Sequence, residues 1–523
     1  MMVSEAKRQK RLVDSLETEE VNVNVKSMIG TLEKQIMKNQ QLRLKYATEP
    51  EKFMGSELGL HEMISKFHSI AANPEKYSQL IALDGVPKLL GLLQHENQDI
   101  SMAVIHLLSE LTDPDALIRQ DDKASAIQLL EALVENHALE LIINQLDQLP
   151  EMSSDVEAQA VHHTLEMIEN MTELDPSICS KLLSQTKLSQ YLLKRVNVKE
   201  FDPNKLYASE ILSIVYQVDM EATEQLALDP KFDGLDALLQ SIAKYRKKQP
   251  GSPDEQECVE NLVNTLATGL LYLSNQDHFR HLQGFELMFK CLKDQRYLGD
   301  CVLRLIDHAV TNNIRNCEYV IQVGGLKYLF GAFMGRIGLT KAGRKAGKTL
   351  NEIEKHCVSI LSNIALLCRI DAPDEAYQRF HAKFCEKDYE KCDRLVEVFE
   401  KYVQIISSVD DMLSTATKRL EDSDQLKTEE DHEDWKAEKL SKRQDAGLSI
   451  YHRIAFLIVH VASVSNDIKK YVHGKLREQN LSPETVKGGV EDFMSFLDEQ
   501  STPQTEPMNC AHRKRLNELC KAF

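Results

Sequence analysis

Glycine and proline are scarce, at 21 and 14 of 523 residues, and aromatic side chains make up only 6%. So few turn formers exclude collagen-like and proline-rich architectures and leave little to punctuate a chain of short strands. No C-x-x-C pair occurs among the 11 cysteines, and the chain is far longer than small secreted domains stapled by disulfides. The thiols are therefore read as reduced. The most apolar run, Ile454 to Val464, reaches about half a bilayer span, so no membrane segment is expected. The start of the chain lacks the charged, apolar and small-residue sequence of a secretory signal. Cytosol or nucleus is the expected compartment, and the glycosylation sequons at Asn170 and Asn480 are read as chance matches.

Positive charge is also in deficit, with 63 Lys and Arg against 81 Asp and Glu and a net charge of -18. A surface built to neutralise phosphates would have to be strongly local, so direct sequence-specific nucleic-acid binding is not expected. An acidic field attracts cations or the basic tails of other proteins, with simple solubility as the alternative reading. Hydrophobic residues at 42% and charged residues at 28% place the chain among folded proteins.

What the sequence does have is apolar spacing at the helical period. Val86, Leu89, Leu90, Leu92 and Leu93 are followed by a polar break and then Ile100, Val104, Leu107, Leu108 and Leu111, which predicts a helical hairpin. Similar units start near Leu139, Leu188, Leu235, Phe285 and Leu326, roughly 41 to 53 residues apart, close to the period of armadillo and HEAT repeats. Gly85, Gly234, Gly284 and the Gly324-Gly325 pair precede first helices, where a tight turn is needed. The expected fold is all-α, an armadillo/HEAT-like α-solenoid superhelix with helical N- and C-terminal caps.

The expected layout is a flexible segment over 1–25, capping helices over 26–80, a repeat array over 81–371 and a helical capping region over 372–523. Within the last, residues 421–439 are charged around Trp435, the only tryptophan, and read as a connecting segment. The apolar helix expected over Ala446 to Ser465 either caps the array or forms a homodimer interface.

Chemical motifs are few. Ala342 followed by Gly347, Lys348 and Thr349 resembles a relaxed nucleotide-binding loop, but Leu326 to Met334 upstream reads as a helix, not the strand such a loop needs. Arg336, Lys341, Arg344, Lys345 and Lys348 are then a basic inter-helix loop, either solvated or touching an acidic partner or RNA phosphates. His278 with His281, and His162 with His163, lack the companion ligands of a zinc site, so no metal or cofactor is assigned. No hydrolase elbow, kinase signature or H-E-x-x-H motif is present, and no enzyme is expected.

A short string recurs in the second long helix of several units: LLSEL at Leu107, MIENM at Met167, ILSIV at Ile211 and ILSNI at Ile360. It resembles the string on the groove-lining helix of armadillo proteins, whose variable position contacts an extended ligand. By that resemblance Glu110, Asn170 and Asn363 face a groove, with Glu173 close by, while Ile214 interrupts the ladder. Ordinary exposed helix positions are the alternative.

Longer stretches carry a closer resemblance. LEKQIMKNQQLRLKYATEPEKFMGSELGLHEMI from Leu32, LIALDGVPKLLGLLQHENQDISMAVIHLLSELTD from Leu80, DPNKLYASEIL from Asp202, EKCDRLVEVFEKY from Glu390 and RQDAGLSIYH from Arg443 resemble the β-catenin-like protein 1 family. The resemblance implies a nuclear armadillo-type scaffold of the spliceosome-associated nineteen complex. Such a scaffold binds basic nuclear-localisation segments of splicing proteins, among them a Myb-domain splicing factor. Lys7, Arg8, Lys10 and Arg11 are the residues that could form a localisation patch of its own. A nuclear import adaptor for basic cargo is the alternative function.

Overall fold

The structure is a computed structural model that describes residues 24–117, 120–149, 151, 154–227, 232–337, 350–367, 375–423, 428–499 and 506–523. The localisation patch, the nucleotide-loop-like segment and Lys341, Arg344, Lys345 and Lys348 lie outside them. The described residues form helices and connecting turns with no strand. Two compact units divide the chain. The first holds Met1–Ile242 and Pro250–Gly269, and the second holds Ala243–Gln249 and Leu270–Phe523.

The first unit contains α1 (Val25–Lys45), α2 (Met54–Ala71), α3 (Tyr77–Ala82), α4 (Gly85–Gly91), α5 (Gln98–Leu111), α6 (Gln120–Glu135) and α7 (Ala138–Gln148). It continues with α8 (Asp155–Leu174), α9 (Ile178–Gln185), α10 (Leu188–Val196), α11 (Pro203–Val218), α12 (Met220–Glu224), α13 (Gly234–Ala243) and α14 (Pro253–Gly269). Local chemistry sets the long helices. Asn97, Ser154 and Asp202 cap α5, α8 and α11 by accepting from backbone N–H groups of the first turn, and Pro203 sits at the first helical position. Within this unit α2, α5, α8, α11 and α14 stack side by side, each on the next. Their apolar positions, such as Leu107, Leu165, Ile211 and Leu262, are buried between neighbours, the arrangement that lets a repeat bury a face it could not bury alone.

The corners between helices show why glycine recurs. Asp84, His137 and Gln283 take left-handed torsions, φ 54°, 60° and 60°, immediately before a helix starts with Gly85, Ala138 or Gly284, and Gly324, φ 79°, precedes Gly325, the N-cap of α19. The residue after the corner is small because the preceding helix comes close. A Cβ on Gly284 would lie 2.5 Å from the buried Phe279 ring, and one on Gly325 would lie 2.8 Å from the Val320 carbonyl oxygen.

The second unit contains α15 (Leu273–His281), α16 (Gly284–Asp294), α17 (Val302–Val310), α18 (Ile314–Gln322), α19 (Leu326–Phe333), α20 (Leu350–Leu367) and α21 (Glu375–Cys385). It ends with α22 (Glu390–Asp422), α23 (Glu429–Asp445), α24 (Leu448–Ala462), α25 (Asn466–Glu478), α26 (Pro483–Glu499) and α27 (Glu506–Ala522). The centre is α24, apolar over most of its surface and packed by α20, α22 and α26. Its residues from Ile454 to Ile458 are 0% exposed, so this chain's own helices cover it.

One expectation is corrected. The charged stretch read as a connector contains α23, held by a capping box between Thr428 and Asp431. Trp435 is buried against α22, where its indole N–H donates to Thr417 Oγ1 at 3.0 Å. One aromatic anchor and one cap replace the apolar stripe the sequence lacks there.

Candidate partner-binding face

The polar positions that alternate with the buried ones on α2, α5, α8, α11 and α14 form the candidate site, all within the first unit. Glu110 on α5 is half-buried, with Oε2 2.7 Å from His68 Nδ1 on α2 and Oε1 3.4 Å from His106 Nε2 one turn earlier. The His106 ring lies 5.0 Å from that of His68 and 4.4 Å from that of His163 on α8, centroid to centroid. His163 Nδ1 is 3.1 Å from Glu166 Oε2. His162 packs on Tyr207 of α11 at 5.0 Å and meets Asn204 Oδ1 at 3.1 Å. Imidazoles and carboxylates therefore run from helix to helix.

A buried clamp holds this face in place. Arg195, 5% exposed at the end of α10, donates to both oxygens of Glu151 at 2.7 and 2.8 Å and to Asp202 Oδ1 at 2.5 Å. Asn204 donates to Glu151 Oε1 at 2.7 Å and to the Ala158 carbonyl oxygen at 2.8 Å. Two carboxylates around one guanidinium fix α10, the start of α11 and, through Asn204, the His162 ring.

Farther along, the charge is of one sign. The carboxylates of Glu169 on α8 and Glu257 on α14 both act on Glu210 of α11. Burial, and then the Glu169 and Glu257 carboxylates, raise Glu210 to about 7. Burial and a hydrogen bond to Glu169 push the Tyr207 phenol up as well. At neutral pH Glu210 thus keeps its proton part of the time, and a lysine or arginine placed beside it would release that proton.

The residues read from the recurring string fall as follows. Asn170 is 8% exposed and its amide donates to the Ser109 carbonyl oxygen at 3.0 Å, tying α8 to α5. Glu173 is exposed near the end of α8. Asn363, in the second unit, is 4% exposed with Nδ2 3.4 Å from Oγ1 of Thr311, the C-cap residue that ends α17. Arg336 is exposed and donates to both oxygens of Glu390 at 2.8 Å. Accessible polar groups instead concentrate one turn earlier, at His106, Glu166 and Glu210, the residues just ahead of each string. Glu210 stands 41 residues after Glu169 and 47 before Glu257, the repeat spacing itself. That spacing was the signal that could have found them.

In the second unit a cavity of about 710 Å³ opens between α22, α23, α24 and α26. Part of its charge is paired internally: Arg443 lies 3.0 Å from Asp410 and 3.2 Å from Asp492, and His452 lies 3.2 Å from Asp492. The His68, His106 and Glu110 set on the first unit is the only group of metal-ligating side chains among the described residues. No described helix is long and apolar enough to cross a membrane.

Comparison with known proteins gives a family and close relatives. A family model described as "Catenin-beta-like, Arm-motif containing nuclear" matches residues 3–491. "Beta-catenin-like protein 1" of Homo sapiens is 34% identical over 486 residues, covering 92% of this chain and 83% of that protein. The Bos taurus protein of that name is 34% identical over 504 residues, covering 96% and 86%. The "Beta-catenin-like protein 1 homolog" of Schizosaccharomyces pombe is 27% identical over 512 residues, covering 96% and 85%. Among solved structures, an engineered protein aligns with 92% of this chain and 98% of its own at 14% identity and a TM-score of 0.44. A designed armadillo repeat protein aligns with 51% and 91% at 14% identity and a TM-score of 0.34.

Proposed function

The chain belongs to the catenin-beta-like, armadillo-motif family described as nuclear, and from that premise we propose that it is a non-enzymatic nuclear scaffold that docks basic peptide segments. The observation that carries the reading is the run of carboxylates Glu169, Glu210 and Glu257 on three stacked helices, with Glu210 raised to about 7 by burial and then by the other two carboxylates. Crowded carboxylates gain when a cation arrives, and a lysine- or arginine-rich segment laid across α8, α11 and α14 brings one at each helix. The identity of the partners as splicing-complex proteins, including a Myb-domain splicing factor of the nineteen complex, rests on the family resemblance. The import-adaptor alternative needs a carrier-binding segment near Lys7 to Arg11, outside the described residues, and no observation favours it.

The test is calorimetric titration of the full chain with a lysine- and arginine-rich peptide at several salt concentrations and in buffers of different ionisation heat. Binding at pH 7 is expected to release a fraction of a proton, as Glu210 ionises. The Glu169→Gln/Glu210→Gln variant is expected to bind about tenfold or more weakly, with a flatter salt dependence. Equal affinity and equal salt dependence in that variant would remove the docking assignment. Purification from nuclease-treated nuclear extract, read by mass spectrometry, then asks whether splicing proteins accompany the wild-type chain and not the variant.

A further inference from the structure

We propose that His68, His106 and Glu110 form a site for a single zinc-class divalent cation that clasps α2 to α5. The three side chains offer one ligand atom each, and these atoms lie within 4.8 Å of one another. The Glu110 carboxylate already reaches both imidazoles, Oε2 lying 2.7 Å from His68 Nδ1 and Oε1 3.4 Å from His106 Nε2. A tetrahedral zinc ion, with bonds near 2.0–2.2 Å, holds its ligand atoms about 3.3 Å apart. The contacts to Glu110 lie close to that value and the whole set lies within 4.8 Å, so rotation about side-chain bonds brings the donors into place.

The scaffold around the three residues is fixed. His106 and Glu110 are one turn apart on one face of α5, and α2 packs directly on α5 and presents His68. The His163 ring lies against the His106 ring from α8 and is itself held by Glu166, which sets the His106 plane from the far side. Access is open, since the side chains of His68, His106 and Glu110 are 27%, 45% and 32% exposed. Three protein ligands with solvent on one side leave the fourth position to water or to a donor from a docked partner.

The donor set also selects the ion. Calcium and magnesium require oxygen ligands, whereas two imidazoles and one carboxylate match zinc and its borderline neighbours. This reading is independent of peptide docking, because the carboxylates that carry docking lie on α8, α11 and α14.

The experiment is titration of the chelator-stripped full chain with zinc chloride by calorimetry, alongside cobalt(II), whose visible absorption bands report tetrahedral coordination. One equivalent is expected to bind and to raise the melting temperature. His106→Gln and Glu110→Gln are each expected to weaken binding by about tenfold or more and to abolish the cobalt bands. His281→Gln, an exposed histidine on α15, is expected to change neither. His68→Gln reads the same site from the other helix, and circular dichroism establishes that each variant is folded. Absence of a one-to-one zinc complex, or zinc binding that survives the His68, His106 and Glu110 substitutions unchanged, would overturn the proposal.

Discussion

His381 on α21 and His460 on α24 face each other inside the second unit, Nε2 to Nε2, at 2.9 Å. One neutral ring donates and the other accepts, and a further proton on either ring would be a buried charge close to Arg515. Burial, and then the Arg515 guanidinium, lower His381 from 6.5 to about 4, and burial, His381 and Arg515 hold His460 well below its ordinary value. The unfolded chain therefore binds more protons than the folded chain below pH 6.5. The stability of the neutral pair is complete above 6.5 and is lost progressively as the pH falls towards 4. Urea unfolding between pH 7 and 4.5 is expected to show a falling midpoint, and the His381→Leu/His460→Leu variant a flatter one. An unchanged slope in the double variant would show that other groups dominate. At this scale the sequence is a partial guide. Asn170 and Asn363 hold the place armadillo proteins use for ligands, yet burial under neighbouring helices commits their amides to Ser109 and Thr311. The recurring string gives the face of the helix but not how deeply the next helix covers its end. Glu210 and Glu169 stay accessible because they lie a turn or a residue away.

Helices are where the sequence speaks most clearly. The unit starts read near Val86, Leu139, Leu188, Leu235, Phe285 and Leu326 each fall within one residue of the first residue of a helix. The reason is physical: a buried helix must show an apolar stripe, and a corner between stacked helices must start with a small residue. The corner at Gly284 tests the second half of that statement. Gly284→Ala would place a methyl 2.5 Å from the Phe279 ring, which is itself fully buried and cannot swing away. The expected cost is about 1–3 kcal/mol, measured by urea unfolding. Gly91→Ala, where a Cβ meets nothing within 4 Å, is the control and is expected to be neutral or stabilising. Where the stripe is missing, legibility fails. The helix α23 has almost no apolar periodicity and depends on Trp435 and the Thr428 cap, neither of which composition can weigh against a surrounding run of charge.

The whole molecule is less legible than its helices, because periodicity along the chain does not say where packing is continuous. Contacts gather into two units whose boundary along the sequence passes through the segment around α13 and α14. The first unit is completed by α14, which buries Cys258, Val259, Leu262 and Leu266 beside α11. Each such side chain contributes about 1.5–3 kcal/mol when removed from water. A fragment of residues 1–242 is therefore expected to melt at a lower temperature than 1–269 and to self-associate through the bared face of α11, as read by circular dichroism and light scattering. Equal melting temperatures would mean that α14 adds little to the unit.

The order of the pieces along the chain also bears on how the protein is made. Ala243–Gln249 belongs to the second unit, yet leaves the ribosome before α14, the last helix of the first. Domains generally fold as units while synthesis proceeds from the N-terminus. Here the first unit cannot close its final face until residue 269 has emerged. The seven residues before α14, with the buried Tyr245 and with Arg246 reaching Asp294 at 2.9 Å, must wait for a partner not yet translated. Nascent chains halted before and after α14 would thus differ sharply in protease resistance, and that interval is where a chaperone would find exposed apolar surface to hold.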